Sequence, residues 1–275
     1  MSMVWFVTGS SRGLGRNFVE AALSRGDRVA ATARNTEHLA ELVTAYGDAV
    51  LPLQLDVTDR AAVFETVKRA SEHFGRLDVI VNNAGYGLLG AVEELTEQQL
   101  RDQLETNLFG PVWVVQAAVP QLREQGGGHI IQISSVGGLA AWPLGGAYHA
   151  SKWALEGLSE SLAQEVTGFG IKVTLVEPGS YATDGAAGAV HAEADPRYAG
   201  LREAFAAYAQ TLESGDPAAA GRALLDIVDS ANPPLRVFFG AQANQIVPQV
   251  YADRIETWAD WRELAVAAQG HTPAA

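Results

Sequence analysis

The stretch MVWFVTGSSRGLG, residues 3–15, decides the fold class of this 275-residue chain. Residues 3–9 form a continuous apolar run ending in glycine, which is typical of a strand buried on both faces of a parallel sheet. Leu14, Phe18 and Ala22 then recur at the spacing of one helix face. A buried strand, a glycine-rich turn and a helix in this order predict the first unit of an α/β fold.

The same alternation of β-rich and helical stretches continues as far as residue 240. Because crossover helices separate the strands, the pattern predicts an α/β fold of the Rossmann type: a doubly wound, mainly parallel seven-stranded sheet with helices on both faces. The longest helices are predicted near 97–124 and 147–166, and no repeat or long linker divides residues 1–275 into separate domains. The seven predicted strands cover residues 3–9, 28–34, 49–57, 77–85, 129–135, 171–179 and 235–240.

The composition excludes several classes of protein. A net charge of −13 argues against nucleic acid or an anionic membrane as a partner, because neutralising phosphates requires a basic surface. No segment holds about 18 uninterrupted apolar residues, no signal-peptide pattern precedes the first strand, and there is no cysteine. We therefore expect a cytoplasmic protein without a membrane span, and the spacing of the six histidines predicts no metal site.

The turn after the first strand, TGSSRGLG at residues 8–15, has the G-x-x-x-G-x-G spacing of a dinucleotide-binding loop. Gly9 allows the tight turn, Gly13 lets the backbone approach a pyrophosphate, and Gly15 lets helix and strand pack closely. The helix N-terminus adds amide donors and positive potential. A glycine turn also occurs wherever a chain needs a positive φ, but the position between strand and helix favours nucleotide binding. The predicted contacts are Gly9, Ser11, Arg12, Gly13, Leu14 and Gly15.

The end of the second strand discriminates between cofactors. An acidic side chain there would accept hydrogen bonds from the ribose 2′-hydroxyl of NAD, whereas this strand ends in Ala33 and Arg34. Arg34 and Arg12 are placed to bind a 2′-phosphate through bidentate, charge-assisted hydrogen bonds. The predicted cofactor is therefore NADP(H); the alternative is that both arginines are merely solvated surface groups.

Seven short motifs, in order, resemble the short-chain dehydrogenase/reductase family in its compact single-domain, NADP(H)-preferring branch. The resemblance runs from Val4 to about Thr183 and less completely to Gly240. It implies one NAD(P)-binding Rossmann domain and an oxidoreductase acting on CH–OH donors. The motifs are TGSSRGLG, Asp56-Val57, NNAG at 82–85, Asn107, Ser134-Ser135, YHASK at 148–152 and PGSYAT at 178–183.

The same resemblance assigns roles to individual residues. It implies Asn107, Ser135, Tyr148 and Lys152 as the catalytic set, with Ser135 preferred to Ser134 because it lies 13 residues before Tyr148. It also implies a homodimer or homotetramer built through the two long helices. Further cofactor contacts are implied at Asp56, Val57, Asn82, Ala84, Gly85, Tyr148, Lys152, Pro178, Gly179 and Thr183.

The YHASK motif also has a physical interpretation that does not depend on the family. Tyr148 and Lys152 fall one turn apart on the same helix face, with about 5–6 Å between their Cβ atoms. Reducing a ketone by hydride transfer places negative charge on the carbonyl oxygen, and Tyr148 is the candidate proton donor. A nearby ammonium favours phenolate, so Lys152 is expected to tune Tyr148 as an acid and base. Ser135 is expected to hold the carbonyl oxygen and Asn107 to anchor a water.

Each of these residues also has a purely structural alternative. A tyrosine with a lysine four residues later occurs on many helices as an exposed phenol, and a serine or asparagine can simply satisfy the backbone. A catalytically silent NADP(H)-binding regulator or scaffold is therefore the alternative function. Such a protein has no need for the phenol–ammonium pair, which favours the enzyme. The enoyl-reducing branch of the family spaces its tyrosine and lysine more widely than Tyr148 and Lys152.

The loops after the fourth, fifth and sixth strands are predicted to surround the substrate. They are apolar and aromatic, which predicts a hydrophobic or aromatic ketone, aldehyde or alcohol. Residues 184–214 are expected to form a substrate lid or an ordinary surface excursion. Residues 241–275 form a predicted extension. Within it, the stretch RIETWADWREL at residues 254–264, with Trp258 and Trp261, is predicted to be an amphipathic helix that packs on the body or on a partner subunit. The predicted substrate contacts are Tyr86, Leu88, Trp142 and Tyr181.

Overall fold

The computed structural model describes residues 2–183 and 188–270 and has the predicted α/β architecture. Its strands are β1 Val4–Val7, β2 Arg28–Ala33, β3 Val50–Gln54, β4 Val79–Asn82, β5 Leu88–Leu89, β6 Gly128–Ile133, β7 Ile171–Pro178, β8 Val190–His191 and β9 Arg236–Phe239. Seven of them form one parallel sheet in the order β3-β2-β1-β4-β6-β7-β9, and β5 pairs with β8 beside it. All seven strands predicted from the sequence are present, which confirms the Rossmann-type fold class.

The order of the sheet places the reversal of winding between β1 and β4. From β1 the chain moves outward through β2 to β3, then returns to β4 and continues the other way to β9. Phe6 of β1 therefore pairs with Ala30 of β2 on one side and with Ile80 of β4 on the other. Ligands of such sheets bind outside the carboxyl ends of the strands at this reversal, so the turns after β1 and β4 border the candidate site.

The helices are α1 Gly13–Ser24, α2 Ala40–Tyr46, α3 Arg60–Phe74, α4 Glu97–Leu104, α5 Gly110–Glu124, α6 Gly146–Val166, α7 Ala199–Gln210, α8 Pro217–Asp229, α9 Gln242–Asp260 and α10 Arg262–Gln269. Neighbouring strand residues point to opposite faces of the sheet. Phe6 thus packs in the layer of α3, α5 and α6, whereas Trp5 packs with Phe18 of α1 and Leu224 of α8. Burial of each such side chain contributes about 1.5–3 kcal/mol, so both layers hold the strand ends in place.

The helix predicted over 97–124 is interrupted. A π-helical turn at Glu105–Phe109 separates α4 from α5. The side chain of Asn107, inside this turn, bonds to the backbone of Tyr86 on a neighbouring loop. Gly110 follows, and a Cβ there would lie 2.8 Å from a methyl carbon of Val57. Tertiary contacts of two residues therefore override a helical periodicity that is continuous in the sequence.

The segment predicted as a lid or surface excursion is tied to the body in its described part. Residues 184–187 lie outside the described residues, whereas β8 pairs with β5 and is followed by α7. Arg202 of α7 forms an ion pair with the buried carboxylate of Glu94, which also accepts the backbone N–H of Asp195 at 2.7 Å. These contacts attach residues 190–202 to the loop that follows β4.

The C-terminal extension packs on the body through one side of α9. Ala243 and Val247 are buried, and Arg254 donates to the carbonyl oxygen of Leu139 at 3.0 Å. The expected packing of the amphipathic stretch 254–264 on the body is not found, since Trp258 and Trp261 are 67% and 62% exposed. Residues 271–275 lie outside the described residues. No helix in residues 2–183 and 188–270 has the length and apolar character to cross a membrane.

Candidate active site

The turn after β1 has the backbone conformation that its glycines predict. Gly9 and Gly13 have φ values of 68° and 59°, in the region that side chains rarely adopt. A Cβ on Gly9 would lie 2.9 Å from Ala84 Cα, and one on Gly15 would lie 2.3 Å from the carbonyl oxygen of Gly9. No described side chain caps α1. The bare backbone and the first amides of α1 therefore form a cradle that fits the pyrophosphate of a dinucleotide.

Asn83, which the sequence analysis did not single out, fixes this turn to the end of β4. Its Nδ2 donates to the carbonyl oxygens of Thr8 at 2.9 Å and Gly9 at 3.0 Å. In return, Thr8 Oγ1 accepts the backbone N–H groups of Asn83 and Ala84 at 2.9 and 3.0 Å. The second asparagine of the NNAG motif is thus a structural link between the glycine turn and β4.

The two arginines predicted to bind a 2′-phosphate are both exposed. Within the described parts of the chain, neither Arg12 nor Arg34 forms an ion pair or a side-chain hydrogen bond. Arg16, one turn into α1, differs, since it pairs with Glu20 at 2.6 Å and Glu41 at 3.3 Å. Two uncommitted guanidinium groups at this edge fit an anionic group, because Arg forms bidentate bonds to phosphate.

The remaining predicted adenosine contacts differ in their surroundings. Asp56 is exposed and accepts hydrogen bonds from the backbone N–H and the hydroxyl of Thr58. Val57 is buried against Gly110, which gives its side chain a packing role. Asn82 is 3% exposed, and neither of its amide atoms has a hydrogen-bond partner among the described residues. Its buried amide is therefore available to a ligand.

Tyr148 and Lys152 lie in the first two turns of α6, on the same face. Lys152 is 6% exposed, and its Nζ donates to the carbonyl oxygen of Ile133 at 2.8 Å. The same Nζ lies 5.9 Å from the centroid of the Tyr148 ring. The ammonium therefore lies beneath the phenol and at the end of β6, as the spacing in YHASK predicts.

The pKa of Tyr148 differs from the expectation that the nearby ammonium of Lys152 lowers it. Burial raises the pKa of Tyr148, and hydrogen bonding with Ser135 only opposes this rise. Burial also lowers the pKa of Lys152 to about 8, although the negative charge of Glu156 acts in the other direction. Because Lys152 Nζ is directed at a carbonyl oxygen, its charge does not lower the pKa of the phenol below its usual value in this structure.

Asn107 is 1% exposed, and both hydrogens of its side-chain amide are donated. Its Oδ1 accepts the backbone N–H of Tyr86 at 3.1 Å, and its Nδ2 donates to Tyr86 O at 3.0 Å and to Ser151 Oγ at 3.1 Å. A Cβ on Gly85 would lie 3.1 Å from Asn107 Oδ1 and 3.7 Å from Lys152 Nζ. The side chains of Asn107 and Lys152 therefore both lie beside Gly85. Ser151 is a hydrogen-bond partner of Asn107 that the sequence analysis missed.

The loop between β6 and α6 is held by a second residue that was missed, His149. Its ring Nδ1 lies 2.9 Å from the carbonyl oxygen of Gly137, and its Nε2 accepts the backbone N–H of Trp142 at 3.3 Å. Burial lowers the pKa of His149, which favours the neutral tautomer that donates from Nδ1. Ser135 Oγ accepts the backbone N–H of Gly137 at 3.0 Å. His149 and Ser135 thus fix the same loop.

Three of the four predicted substrate residues are half-buried: Tyr86, Trp142 and Tyr181. Leu88 is 1% exposed and belongs to the β5–β8 ladder, so its side chain is not presented to a cleft as predicted.

Thr183, a predicted cofactor contact, approaches the glycine turn. A Cβ on Gly13 would lie 3.6 Å from Thr183 Cβ. No group of three His, Asp or Glu residues in the described ranges is placed to hold a metal ion.

Pro178 and Gly179 end β7 at the same edge of the sheet as Ser135 and Lys152. The N–H of Gly179 donates to Phe239 O at 2.9 Å. A Cβ at this position would lie 3.2 Å from Gln242 Oε1, so the glycine permits a close approach of α9. The predicted nicotinamide side of the site is therefore built from the ends of β6, β7 and α6.

The chain is similar to known oxidoreductases in sequence and in fold. The family model described as short chain dehydrogenase matches residues 3–194. The chain is 41% identical to Oxidoreductase BOA17 of Botryotinia fuckeliana over 97% of its own length and 99% of that protein. The crystal structure of a short-chain dehydrogenase from Streptomyces avermitilis superimposes with a TM-score of 0.92, at 40% identity, covering 97% of this chain and 98% of the other.

A third comparison concerns the cofactor. A short chain dehydrogenase from Burkholderia cenocepacia, solved in complex with NADP, superimposes with a TM-score of 0.74 at 27% identity, covering 94% of this chain and 97% of the other. The protein belongs to the short-chain dehydrogenase family and is an oxidoreductase. The NADP-bound relative and the glycine cradle together support a nicotinamide cofactor.

Proposed function

We propose that the protein interconverts a hydrophobic or aromatic ketone or aldehyde and its alcohol, using NADP(H), with Tyr148 as general acid and base. The observation that carries the proposal is the convergence of four side chains at the edge bordered by the glycine cradle. Lys152 lies beneath the Tyr148 ring, Ser135 bonds to Tyr148, and Asn107 meets Lys152 at Gly85. The bound nicotinamide would donate or accept the hydride.

The phenol of Tyr148 is suited to donate a proton. Burial keeps it protonated, so its Oη holds the proton that a carbonyl oxygen needs as negative charge develops there. Ser135 Oγ accepts the N–H of Gly137, and its hydroxyl hydrogen, which is directed at Tyr148 in this structure, would turn to a substrate oxygen when one is bound. The two hydroxyl groups can then hold one carbonyl oxygen between them.

Lys152 and Asn107 support this proton transfer from below. The Lys152 ammonium is buried near the phenol, so its charge would stabilise the phenolate that forms once the proton has been transferred. Asn107 is held on three sides by the Tyr86 backbone and Ser151, which gives its amide one orientation. In this proposal Asn107 fixes the floor of the site and anchors a water that passes protons from solvent.

The preference for NADP(H) rests on the edge of the cradle. Ala33 at the end of β2 carries no carboxylate that would repel a phosphate, and Arg34 and Arg12 are exposed and unpaired within the described residues. In a chain with a net charge of −13, two such arginines at one edge form a local positive field. A 2′-phosphate would accept hydrogen bonds from both.

The apolar lining supports a hydrophobic substrate. Tyr86, Trp142 and Tyr181 are half-buried in the loops after β4, β6 and β7. Trp142 packs against a small apolar cluster that includes Val247 of α9 and stacks its edge on His149 at 4.2 Å. These rings offer apolar surface to the substrate without a charged partner for a carboxylate.

We also propose that the chain assembles into a homo-oligomer through α5 and α6. Phe109, at the start of α5, is 37% exposed and stacks on Trp113 at 5.9 Å, and Trp153 of α6 is 40% exposed. Aromatic side chains that are partly exposed on long helices are typical of protein interfaces. Light scattering of the purified protein should give a mass of two or four chains; a monomer at micromolar concentration would contradict this proposal.

The decisive experiment compares turnover and cofactor binding. We expect oxidation of NADPH with a panel of aromatic and alicyclic ketones, and a loss of about 10³-fold in kcat/KM in Tyr148→Phe because its proton donor is removed. The matched control is Tyr208→Phe, an exposed phenol on α7, which should retain full activity. NADPH affinity, measured by fluorescence titration, should change little in either variant.

Two results would contradict the proposal in different ways. If Tyr148→Phe turned over like the wild type, Tyr148 would not be the proton donor. If the wild type bound NADPH but reduced no member of the panel and oxidised no corresponding alcohol, the catalytically silent regulator or scaffold would be the better interpretation.

A further inference from the structure

Two buried carboxylates lie behind Lys152, outside the four catalytic residues. Glu156 follows Lys152 by one turn on α6 and is 5% exposed, and Glu177 on β7 is 0% exposed. Both approach one atom, the Nε of Arg236 on β9. Glu156 Oε2 lies 2.9 Å from this Nε and Glu177 Oε1 lies 3.8 Å from it. The two carboxylates therefore share one side of a single guanidinium.

The charges of this cluster do not balance when both carboxylates are ionised. The other side of Arg236 is taken by Glu160, whose side chain is 55% exposed and whose Oε2 lies 2.7 Å from Nη2. Both carboxylate oxygens of Glu177 lack a hydrogen-bond partner among the described residues. The same is true of Oε1 of Glu156. Two buried negative charges against one shared cation are costly, and holding one proton removes the imbalance.

The pKa shifts of the two carboxyl groups agree with the retention of one proton. Burial, and then the charge of Glu156, raise the pKa of Glu177 to about 8, although Arg236 opposes the rise. Burial also raises the pKa of Glu156, against the hydrogen bonds and charges of Ser134, Arg236 and Lys152. The direction is the same for both carboxyls, so the pair retains a proton at pH values at which an exposed glutamate is ionised.

A cavity lies beside Glu177. It has a volume of about 430 Å³ and lies between α6, β9 and α9. Glu177 and Arg236 form part of its polar wall, and Glu160 lies at its exposed side. The cavity brings solvent close to Glu177, although the carboxyl group itself is buried. The apolar part of the wall is formed by Leu139, Phe238, Val247, Pro248 and Tyr251.

We propose that Glu156 and Glu177 share one exchangeable proton and act as positioning residues that set the charge behind Lys152. With the proton bound, the pair and Arg236 together are neutral. When the proton leaves, they carry one negative charge, which stabilises the ammonium form of Lys152. The pair thus extends the ammonium form of Lys152 to higher pH. Only the kinetic consequence of this inference rests on the proposed function.

The other charged and titratable groups around the pair are few. Lys152 and Glu160 face it from α6 and Arg236 faces it from β9. From α9, Tyr251 lines the cavity, and Arg254 lies over the Tyr251 ring at 5.2 Å. From the end of β6, the uncharged Ser134 lies beside Glu156.

Lysine NMR tests the proposal without turnover, because the chain has only three lysines: Lys68, Lys152 and Lys172. In protein labelled with [ε-¹³C]lysine, the Lys152 resonance should titrate over two steps, since it is coupled to the pair. In Glu177→Gln we expect a single step with a midpoint about half a pH unit lower, because the neutral amide cannot become negative. The variants Lys68→Arg and Lys172→Arg assign the three resonances.

Glu160→Gln is the matched control. It removes the same charge from the same guanidinium, but on the exposed side, so the Lys152 titration should stay within about 0.2 pH units of the wild type. Glu156→Gln keeps the helix and should also lower the Lys152 midpoint. An unchanged Lys152 titration in both Glu177→Gln and Glu156→Gln would overturn the proposal, as would equal shifts in Glu177→Gln and Glu160→Gln.

The kinetic consequence is a second readout. If the enzyme oxidises alcohols as proposed, the alkaline limit of kcat/KM should move to lower pH in Glu177→Gln by the same amount as the Lys152 midpoint. A shifted NMR midpoint with no turnover in any variant would support the carboxyl pair and contradict the proposed function. A shifted midpoint with an unchanged kinetic limit would overturn the claim that the pair acts on the reaction through Lys152.

Discussion

The proposed reaction chamber and the proposed cofactor edge use polar side chains in opposite ways. The chamber is formed by Asn107, Ser135, Tyr148 and Lys152, and the edge by Arg12 and Arg34. In the chamber, Asn107 and Lys152 bind backbone groups 21 and 19 residues away, whereas Ser135 binds the backbone of Gly137 in its own loop. At the cofactor edge, both arginines are exposed and have no partner within the described residues. Chamber residues therefore hold structure and chemistry together, whereas edge residues supply charge alone. Substitutions should separate the two.

The largest effect that tests this contrast is expected at Asn107. In Asn107→Leu, the Tyr86 backbone N–H and Ser151 lose their partner in a buried site, so the free energy of unfolding should fall by about 1–3 kcal/mol. Activity should fall by about 100-fold, because Asn107 also fixes the floor beneath Lys152. Chemical denaturation and steady-state kinetics measure the two effects.

Gln103→Leu is the control for this variant. Gln103 is fully buried, and its Nε2 donates to the same Tyr86 carbonyl oxygen at 3.0 Å, but it does not reach Gly85 or Lys152 in the described contacts. It should lower stability by a similar amount and reduce activity less than about threefold. If both variants lost activity equally, Asn107 would act only through the stability of the loop.

The fold could be predicted because each strand is a short apolar run followed by its own helix. β1, β4 and β6 are buried on both faces, so their residues do not show the alternation of apolar and polar side chains that marks a strand with one exposed face. The break at Asn107 could not be predicted, because its partner Tyr86 lies 21 residues away and no local signal marks the contact. The two-residue strands β5 and β8 are likewise too short to give a periodic signal.

The second-largest effect is expected at the proposed cofactor edge, where a substitution should change the preference for NADPH over NADH but not the stability of the fold. In Arg34→Ala the affinity for NADPH should fall about tenfold while that for NADH changes little, because only NADPH carries the 2′-phosphate that forms charge-assisted bonds. The thermal midpoint should change little, since the exposed Arg34 forms no side-chain hydrogen bond or ion pair with the described residues. Fluorescence titrations with both cofactors measure the ratio.

Arg16→Ala provides the comparison within the same region. Arg16 is already paired with Glu20 and Glu41, so its guanidinium is not available to a phosphate. Its removal should leave the ratio of the two affinities within about twofold of the wild type. A loss of NADPH and NADH affinity by equal factors in Arg34→Ala would mean that the arginine contributes general positive potential only.

The candidate site was predictable only as far as its motifs extend. Tyr148 and Lys152 can be identified from their spacing on one helix, and Gly9 and Gly15 can be identified from their position after a strand. Glu156 and Glu177 lie in different elements and meet only at Arg236, so no spacing connects them. The one local signal was Glu177 itself, a carboxylate in the buried strand IKVTLVEP, a position at which a buried charge requires an explanation.

The smallest effect concerns this carboxylate and the pH dependence of stability. The folded state raises the pKa of Glu177 to about 8, whereas the unfolded chain has an ordinary glutamate value. The stabilisation from keeping the proton is complete below the unfolded pKa and is lost progressively as the pH rises to about 8. Glu177→Gln stays neutral, so its melting temperature should rise relative to the wild type by about 3–6 °C between acidic and alkaline buffer. Glu160→Gln, with its exposed carboxylate, should follow the wild type throughout. A constant difference between Glu177→Gln and the wild type from pH 5 to 9 would show that Glu177 does not keep its proton on folding.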